Sequence, residues 1–257
     1  MIPIDDRGLT LGDGLFETLL AVDGQLVDWQ AHLDRMGRGA ALLGLPEPDA
    51  FEARVACSSA LGAANLRCGR AAVRLTLTAG SGGRGLDRPQ AMTARMFAAA
   101  SPALEPSGPF RLMLSTVRRN AASPASRLKT LSYLDNVLAR REATGAGADE
   151  AVMLNTDGHV ACAAAGNLFW IDNGRLFTPS LDCGVLDGIM RSKVLARAAQ
   201  LRAEVAQGAF APEALRAAQA VLVTNSLIGV RRVSQIGGRA CGEDRLAEAL
   251  AGLRADG

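Results

Sequence analysis

Histidine and cysteine are scarce in this 257-residue chain, and their scarcity limits the chemistry that it can support. The two histidines, His32 and His159, poorly supply a His-built metal site or a Ser-His-Asp triad. The five cysteines are odd in number and scattered, and none forms a Cys-x-x-Cys pair. This usage predicts a reduced, cytoplasmic protein without structural zinc, so we expect no resident metal.

Long apolar runs and concentrated charge are also missing. No run reaches the roughly 18 apolar residues of a transmembrane helix, and no basic segment precedes an apolar one as in a secretion signal. The net charge is only +2, without basic blocks, which argues against a nucleic-acid or membrane-surface partner. With 49% apolar and 21% charged residues, the composition is that of a soluble globular protein.

Lysine is the rarer of the two strongly basic residues. Only Lys129 and Lys193 are lysines, and the other 26 of the 28 basic residues are arginines. Arginine stays protonated, whereas a lysine can lose its proton and condense with a carbonyl group. Lys129, in "ASRLKTLSYLDNVLARREA", is therefore a candidate nucleophile. The alternative is an ordinary solvated lysine.

The order of strand and helix signals predicts an α+β fold in two unequal domains. An early hairpin turns at Asp23-Gly24, and the proline-rich segment "SPALEPSGPF" is the best linker candidate. The linker separates a small N-terminal α/β domain, residues 1–106, from a larger C-terminal α/β domain, residues 107–257. Apolar periodicity predicts helices over residues 30–43, 48–61, 131–144, 188–203, 212–218 and 243–253.

Two segments carry donors suited to phosphate oxygens. In "LDGIMRSKVLARAAQL" a turn precedes a helix, so the amides of Ile189 and Met190 are free first-turn donors. "VTNSL" ends a strand with Thr224, Asn225 and Ser226, which are small donors. Each segment alone fits an ordinary helix start or strand exit equally well.

Two arginines are candidates for binding anions. Arg35 lies in "HLDRM" on the first long predicted helix, where a solvated surface arginine is the default interpretation. The segment "GSGGRG" lacks the Gly-Lys-Ser/Thr ending of a P-loop and the spacing of a dinucleotide fingerprint. We interpret it as a flexible loop that presents Arg84 to a carboxylate. A phosphate held by an arginine and backbone amides, together with a Schiff-base lysine, indicates pyridoxal 5′-phosphate.

The ordered motifs of the chain resemble the class IV (fold type IV) pyridoxal-phosphate family. They are "DRGLTLGDGLFETL", "HLDR", "GSGGRG", "LKTLSYLDNVLARREA", "ADEAVMLNTDGHV", "NLFW", "LFTPSLDCGVLDGIMR" and "VTNSLIGV", and they run from about Asp6 to Val230. The family contains branched-chain aminotransferases, D-amino-acid aminotransferases and 4-amino-4-deoxychorismate lyase. The resemblance implies a two-domain fold of the D-amino-acid aminotransferase type, with the cofactor between the domains, and a homodimer.

The resemblance also implies roles for individual residues. Lys129, expected in the C-terminal domain, would form the Schiff base with the cofactor. Thr18, in "FETL", would lie near the cofactor's reactive carbon, although a strand residue that packs locally is an equal alternative. Arg84 would lie near a substrate carboxylate. The phosphate would be held by Arg35, the amides of Ile189 and Met190, and the turn at Asn225 and Ser226.

One position departs from the family pattern. In the family, a glutamate five residues before the Asn of the N-L/I-F motif pairs with the pyridine nitrogen and keeps it protonated. Counting back from Asn167 reaches Cys162, in "HVACAAAGN". A thiol with an ordinary pKa of about 8.5 is a weak neutral partner, whereas a thiolate would need a nearby positive charge. A weaker electron sink favours elimination over transamination, because in elimination the leaving group takes the electrons.

Within the family, the chain is most similar to 4-amino-4-deoxychorismate lyase. "GSGGRG" and the lysine segment are lyase-like, and Leu134 stands where branched-chain aminotransferases carry a tyrosine. The expected reaction converts the small molecule 4-amino-4-deoxychorismate into p-aminobenzoate and pyruvate for folate synthesis. Two alternatives remain open. One is an aminotransferase that acts on D-amino or branched-chain amino acids, and the other is a catalytically idle paralogue that binds the cofactor.

Overall fold

The computed structural model describes residues 2–105 and 107–254, and the chain divides into two compact units. One unit is Met1–Glu105 with Leu128–Ser132, and the other is Pro106–Arg127 with Tyr133–Gly257. Lys129 was expected in the C-terminal domain, but its segment groups with the first unit. The reason is long-range backbone pairing, since the N–H of Phe16 donates to the carbonyl of Lys129 at 2.9 Å.

The first unit contains a four-stranded antiparallel sheet with strand order β2-β1-β3-β4. The strands are β1 (Gly14–Val22), β2 (Gln25–Leu26), β3 (Arg70–Thr78) and β4 (Arg95–Pro102), and the helices are α1 (Arg7–Leu11), α2 (Trp29–Leu43) and α3 (Ala50–Ala63). The predicted hairpin is confirmed, because Asp23 and Gly24 both have positive φ, 47° and 79°. Such angles are typical of the tight turns whose twist matches that of the strands they join.

The two longer helices of this unit confirm the predictions for residues 30–43 and 48–61. One stripe of α2, represented by Leu33, Met36 and Ala40, packs into the core that covers the sheet. The helix ends at Gly44, whose φ of 63° allows its N–H to bond back to the last turn. Helix α3 begins at Asp49, whose carboxylate accepts the N–H of Glu52 as an N-cap.

The second unit contains a nine-stranded mixed sheet with strand order β10-β9-β8-β11-β12-β5-β6-β7, and β13 pairs with β12. Its strands are β5 (Phe110–Arg119), β6 (Glu150–Asn155), β7 (Val160–Ala163), β8 (Asn167–Asp172), β9 (Arg175–Pro179), β10 (Val205–Gly208), β11 (Ala220–Asn225), β12 (Gly229–Ile236) and β13 (Arg239–Ala240). Its helices are α4 (Leu134–Gly145), α5 (Ile189–Gln200), α6 (Pro212–Ala217) and α7 (Arg245–Ala251). The predicted α+β class is confirmed.

One predicted helix begins later in the structure than expected. The helix expected from residue 131 begins at Leu134, because residues 129–131 pair with β1 inside the first unit. The short helix α1 and the edge strand β10 were not predicted. Among the helices of the described ranges, none combines the length and the apolar character needed to cross a membrane.

Candidate active site

The amine of Lys129 lies against one face of β1. Its Nζ is 4.1 Å from the centroid of the Phe16 ring, and the guanidinium carbon of Arg74 is 3.6 Å from the same ring. Thr18 is two residues from Phe16, so both side chains point to the same face of the strand. Arg74 lies opposite Thr18 on β3. The structure therefore places two predicted catalytic residues, Lys129 and Thr18, on the Phe16 face of this sheet.

Backbone pairing fixes the position of Lys129. Leu131 donates its N–H to the carbonyl of Gly14 at 3.0 Å, and Thr130 forms a bridge with Leu15. The neighbours of the lysine, Leu128 and Thr130, are buried, whereas Lys129 itself is half-buried. The extended segment thus buries the side chains of Leu128 and Thr130 on one side and presents the amine of Lys129 on the opposite side.

The opposite face of β1 carries a buried ion cluster. Glu17 lies between Phe16 and Thr18, so its side chain points towards α2. Arg35 donates from Nε to Oε1 of Glu17 at 2.8 Å and from Nη2 to Oε2 at 2.5 Å. The Nδ1 of His32 lies 2.7 Å from Oε2. Burial raises the pKa of Glu17, but Arg35, with a smaller contribution from His32, outweighs it and lowers that pKa to about 2.

This cluster bears on the role predicted for Arg35. Its guanidinium is one side of a bidentate ion pair inside the first unit, so a role in phosphate binding stays a prediction. Sequence reasoning missed Glu17 and His32. The available signals were a lone carboxylate in the apolar strand "LFETLLAV" and the i, i+3 spacing of His32 and Arg35, which places both on one helix face.

In the second unit, α5 begins without a side-chain cap among the described residues. Its N-cap is Gly188, and Ile189 and Met190 are its first two residues. A Cβ added at Gly188 would lie 2.0 Å from Oδ1 of Asn167, so only glycine fits there without a shift. The Nδ2 of Asn167 donates to the carbonyl of Leu186 at 2.9 Å and holds the preceding turn. The first-turn amides are therefore available to an anion.

The turn after β11 is organised by its own side chain. Oδ1 of Asn225 accepts the N–H groups of Leu227 and Ile228 at 2.9 and 3.0 Å, and its Nδ2 donates to the carbonyl of Ala165 at 2.8 Å. The Asn225 side chain therefore builds the turn, beside half-buried Ser226. Because the Asn225 side chain is engaged in the turn, a donor available to a bound anion there is Ser226.

Thr224, which precedes this turn, has a fully buried hydroxyl with no hydrogen-bond partner among the described residues. Buried hydroxyls normally have a partner, and a bound anion would satisfy this one. Thr224 pairs with Asn167 across β8 and β11, and Asn167 in turn contacts Gly188. The structure thus brings the start of α5 and the end of β11 together through Asn167. Thr224 is one of the three donors predicted in "VTNSL", whereas Asn167 was not predicted.

Cys162 is buried in an apolar cluster of the second unit, with only 6% of its surface exposed. Burial raises the pKa of its thiol, and the charge of Arg119 opposes this with a smaller effect. Of the two protonation states considered for Cys162, the structure favours the neutral thiol. Buried Arg119 donates to the carbonyls of Gly184 and Ser126, at 3.0 and 2.5 Å, and to Oδ1 of Asn136 at 3.0 Å.

Arg84 lies exposed in the glycine-rich loop of the first unit, residues 80–89. The N–H of Asp87 donates to its carbonyl at 3.1 Å, which closes a tight turn. Residues 2–105 and 107–254 contain no group of three or more His, Cys, Asp or Glu side chains that could hold a metal ion.

Comparison with known proteins gives this geometry a context. The model of the family described as amino-transferase class IV matches residues 14–236. Aminodeoxychorismate lyase of Vibrio harveyi is 32% identical over 241 residues, which cover 91% of this chain and 87% of that protein. A putative branched-chain-amino-acid aminotransferase of Methanocaldococcus jannaschii is also 32% identical, over 96% of this chain and 86% of that protein.

Solved structures agree with the sequence relatives. The crystal structure of 4-amino-4-deoxychorismate lyase from Pseudomonas aeruginosa superposes with a TM-score of 0.88 at 29% identity, over 97% of this chain and 93% of that one. Other similar structures include a form of a hypothetical aminotransferase from Mycobacterium tuberculosis with bound pyridoxal phosphate. The predicted fold type IV architecture is confirmed, and both lyases and aminotransferases are among the proteins that share it.

Proposed function

Because the chain belongs to the class IV aminotransferase family, whose enzymes depend on pyridoxal phosphate, we propose that it is an aminodeoxychorismate lyase. The reaction converts 4-amino-4-deoxychorismate into p-aminobenzoate and pyruvate, and the p-aminobenzoate would serve folate synthesis. Similarity to the Vibrio harveyi lyase supports this choice, and the burial of Cys162, which raises the pKa of its thiol, is the observation that carries it over transamination.

The residues present fit the cofactor. Lys129 supplies an amine on an otherwise arginine-rich chain, and the start of α5 offers amides next to a glycine that leaves no room for a Cβ. The hydroxyl of Thr224, which has no partner in the described part of the chain, adds a donor at the same end of the second unit. When bound, pyridoxal phosphate supplies an aldehyde that condenses with amines and a ring that withdraws electrons.

We assign the following work to the chain's own residues. Ile189, Met190 and Ser226 hold the phosphate, with Arg35 as a further cation. Lys129 would supply the amine that holds the cofactor's aldehyde, and its free amine would act as the base that takes the proton from the substrate carbon that bears nitrogen. Thr18 orients groups near that carbon, on the Phe16 face.

Arg84 binds a substrate carboxylate through charge-assisted hydrogen bonds. When the C–O bond to the enolpyruvyl group breaks, the leaving oxygen keeps the bonding electrons. The released enol then tautomerises to pyruvate. The remaining ring becomes aromatic, so the stability of the product draws the reaction forward.

Cys162 explains why elimination is preferred. A carboxylate at this position would keep the pyridine nitrogen protonated, and the ring would then stabilise negative charge strongly. A neutral thiol is a weak partner for that nitrogen. Transamination needs long-lived negative charge, whereas elimination passes its electrons directly to the leaving group. A chain with Cys162 is therefore better suited to elimination.

The direct test offers the purified, cofactor-loaded protein 4-amino-4-deoxychorismate and measures p-aminobenzoate and pyruvate together. Equal amounts of both products, lost in Lys129→Ala, support the proposal. Turnover of D-alanine or a branched-chain amino acid with 2-oxoglutarate, without p-aminobenzoate, would establish the aminotransferase alternative. That alternative is favoured by the 32% identical archaeal relative. Cofactor absorbance without either activity would indicate the idle paralogue.

A second experiment isolates Cys162. Cys162→Glu should speed the single-turnover conversion of the cofactor to its amino form in the presence of an amino acid, and Cys162→Ser, which stays neutral, should not. No gain in Cys162→Glu would count against the argument from the thiol. We also propose a cytoplasmic homodimer whose domains divide near residues 106 and 107. Analytical ultracentrifugation of the loaded protein tests the dimer.

A further inference from the structure

The guanidinium of Arg7 lies inside the glycine-rich loop, residues 80–89, which the proposed function uses only through Arg84. Arg7 is buried, with 5% of its surface exposed. Its Nη1 donates to the carbonyl of Asp87 at 3.0 Å and makes longer contacts with the carbonyls of Gly82 and Gly85, at 3.4 and 3.5 Å. Its Nη2 donates to the carbonyl of Leu86 at 2.8 Å. One side chain thus binds four carbonyl groups of the loop.

The carboxylate of Asp13, which also pairs with Arg88, fixes the orientation of the Arg7 guanidinium. Nε of Arg7 donates to Oδ2 of Asp13 at 2.9 Å, and Arg88 donates to both oxygens of Asp13 at 2.9 and 2.5 Å. The hydrogen bond from Arg88 is the largest influence on the pKa of Asp13, which lies below its ordinary value. Arg88 also donates to the carbonyl of Leu43 at 2.6 Å, which ties the end of the loop to the end of α2.

The glycines allow the loop to close around Arg7. Gly83 has a φ of 86°, and a Cβ there would lie 2.1 Å from the carbonyl oxygen of Asp87 and 3.0 Å from Nη1 of Arg7. Any side chain at this position would therefore break the contact. The sequence was interpreted as a flexible loop, but the structure shows an anchored backbone. Arg84 is exposed at its tip.

We propose that Arg7 is a positioning residue that holds the loop backbone so that Arg84 is presented to the substrate's carboxylate. That Arg7 orders the loop follows from the contacts above. That Arg84 binds the substrate's carboxylate rests on the proposed function. An arginine on an ordered loop loses less conformational freedom when it binds, so it binds more tightly. Arg7 acts through Arg84 and does not itself touch the substrate.

The test compares Arg7→Lys with Arg84→Gln and with the control Arg111→Lys. A lysine keeps the positive charge beside Asp13 but cannot reach several carbonyls as a planar fork does. Arg111 pairs with exposed Asp149 in the other unit, so its change to lysine controls for the loss of an arginine–aspartate pair. Two quantities are measured on the loaded protein. They are the rate of tryptic cleavage after Arg84, relative to other exposed arginines, and the KM and kcat for 4-amino-4-deoxychorismate.

Arg7→Lys should accelerate cleavage after Arg84 selectively, by about tenfold, and Arg111→Lys should not. It should raise KM by about tenfold with kcat nearly unchanged, and we expect the same of Arg84→Gln. Because Arg7 acts through Arg84, the double variant Arg7→Lys/Arg84→Gln should have the KM of Arg84→Gln alone.

Several results would overturn the inference. Unchanged cleavage in Arg7→Lys, or equal acceleration at every arginine, would show that Arg7 does not order this loop in particular. Selective cleavage with an unchanged KM, or additive effects in the double variant, would remove the link to Arg84. If no variant and no parent protein turns over 4-amino-4-deoxychorismate, the proposed function fails, and the proteolysis alone supports or overturns the loop anchor.

Discussion

The side-chain amine of Lys129 lies 4.1 Å from the centre of the Phe16 ring. The next residue of the strand, Glu17, points to the other face and is buried against Arg35. Strand β1 therefore carries the candidate nucleophile on one side and a buried ion pair on the other. The alternation of side chains along a strand keeps these two chemistries apart by the width of one backbone.

The buried ion pair predicts a large loss of stability in Glu17→Gln. The substitution leaves the guanidinium of Arg35, which is mostly buried, without its counter-charge. Removing one partner of a buried pair costs about 3 kcal/mol or more in free energy of unfolding. Urea unfolding of the cofactor-free protein measures this loss, because a bound phosphate would give Arg35 a second counter-charge. Asp149→Asn breaks the exposed pair with Arg111 and should cost less than about 1 kcal/mol, so equal losses in both variants would refute the prediction.

The low pKa of Glu17 predicts an acid-dependent share of stability. The pKa falls from 4.5 in the unfolded chain to about 2 in the folded protein, so Glu17 stabilises the fold fully above pH 4.5. That contribution is lost as the pH falls towards 2. The difference in unfolding free energy between the parent and Glu17→Gln should therefore shrink across this window. A difference that stays constant from pH 5 to pH 2 would contradict the assignment.

The start of α5 predicts a defect in cofactor binding for Gly188→Ala. The added Cβ would meet Oδ1 of Asn167 at 2.0 Å and displace the first-turn amides. We expect the affinity for pyridoxal phosphate to fall by about tenfold or more, measured by absorbance titration of the stripped protein. Gly145→Ala is the matched control, because no described atom outside its chain neighbours and its own helix backbone lies within 4 Å of its Cβ position. An unchanged affinity in Gly188→Ala would show that the phosphate does not bind at the start of this helix.

The burial of the cysteines predicts an order of alkylation. Cys68 is exposed, whereas Cys57 and Cys162 are buried, and burial raises the pKa of both thiols, that of Cys57 to about 11. Only the thiolate reacts. Iodoacetamide at pH 8, with peptide mass spectrometry, should therefore label Cys68 first and label Cys57 and Cys162 slowly. Labelling of Cys162 as fast as Cys68 would mean a reactive thiolate and would weaken the case for elimination.

Local signals in the sequence predicted much of the fold. The hairpin at Asp23-Gly24 and helices α2 and α3 follow from turn residues and from apolar spacing within a few residues. The start of α4 was wrong for a different reason. Periodicity continues through residues 131–133, but the backbone of residues 129–131 pairs with β1, more than a hundred residues earlier. Long-range pairing of this kind leaves no mark in the local pattern.

The same distinction applies to the site. Lys129 was predicted from its chemistry, because a lysine stands out among arginines. The partners of Arg35, Glu17 and His32, were missed because they become neighbours only when α2 packs on β1. Asn167 was missed because its contacts with Leu186 and Gly188 form only when distant segments of the second unit pack together.

The most direct test of the account is to reduce the cofactor-loaded protein with borohydride and map the modified peptide. Reduction fixes a bond between the cofactor and the lysine that holds it. The chain has only two lysines, so Lys193 is an internal control. The account predicts a single adduct on Lys129, lost in Lys129→Arg. An adduct on Lys193, or no adduct in protein that retains the cofactor, would contradict it.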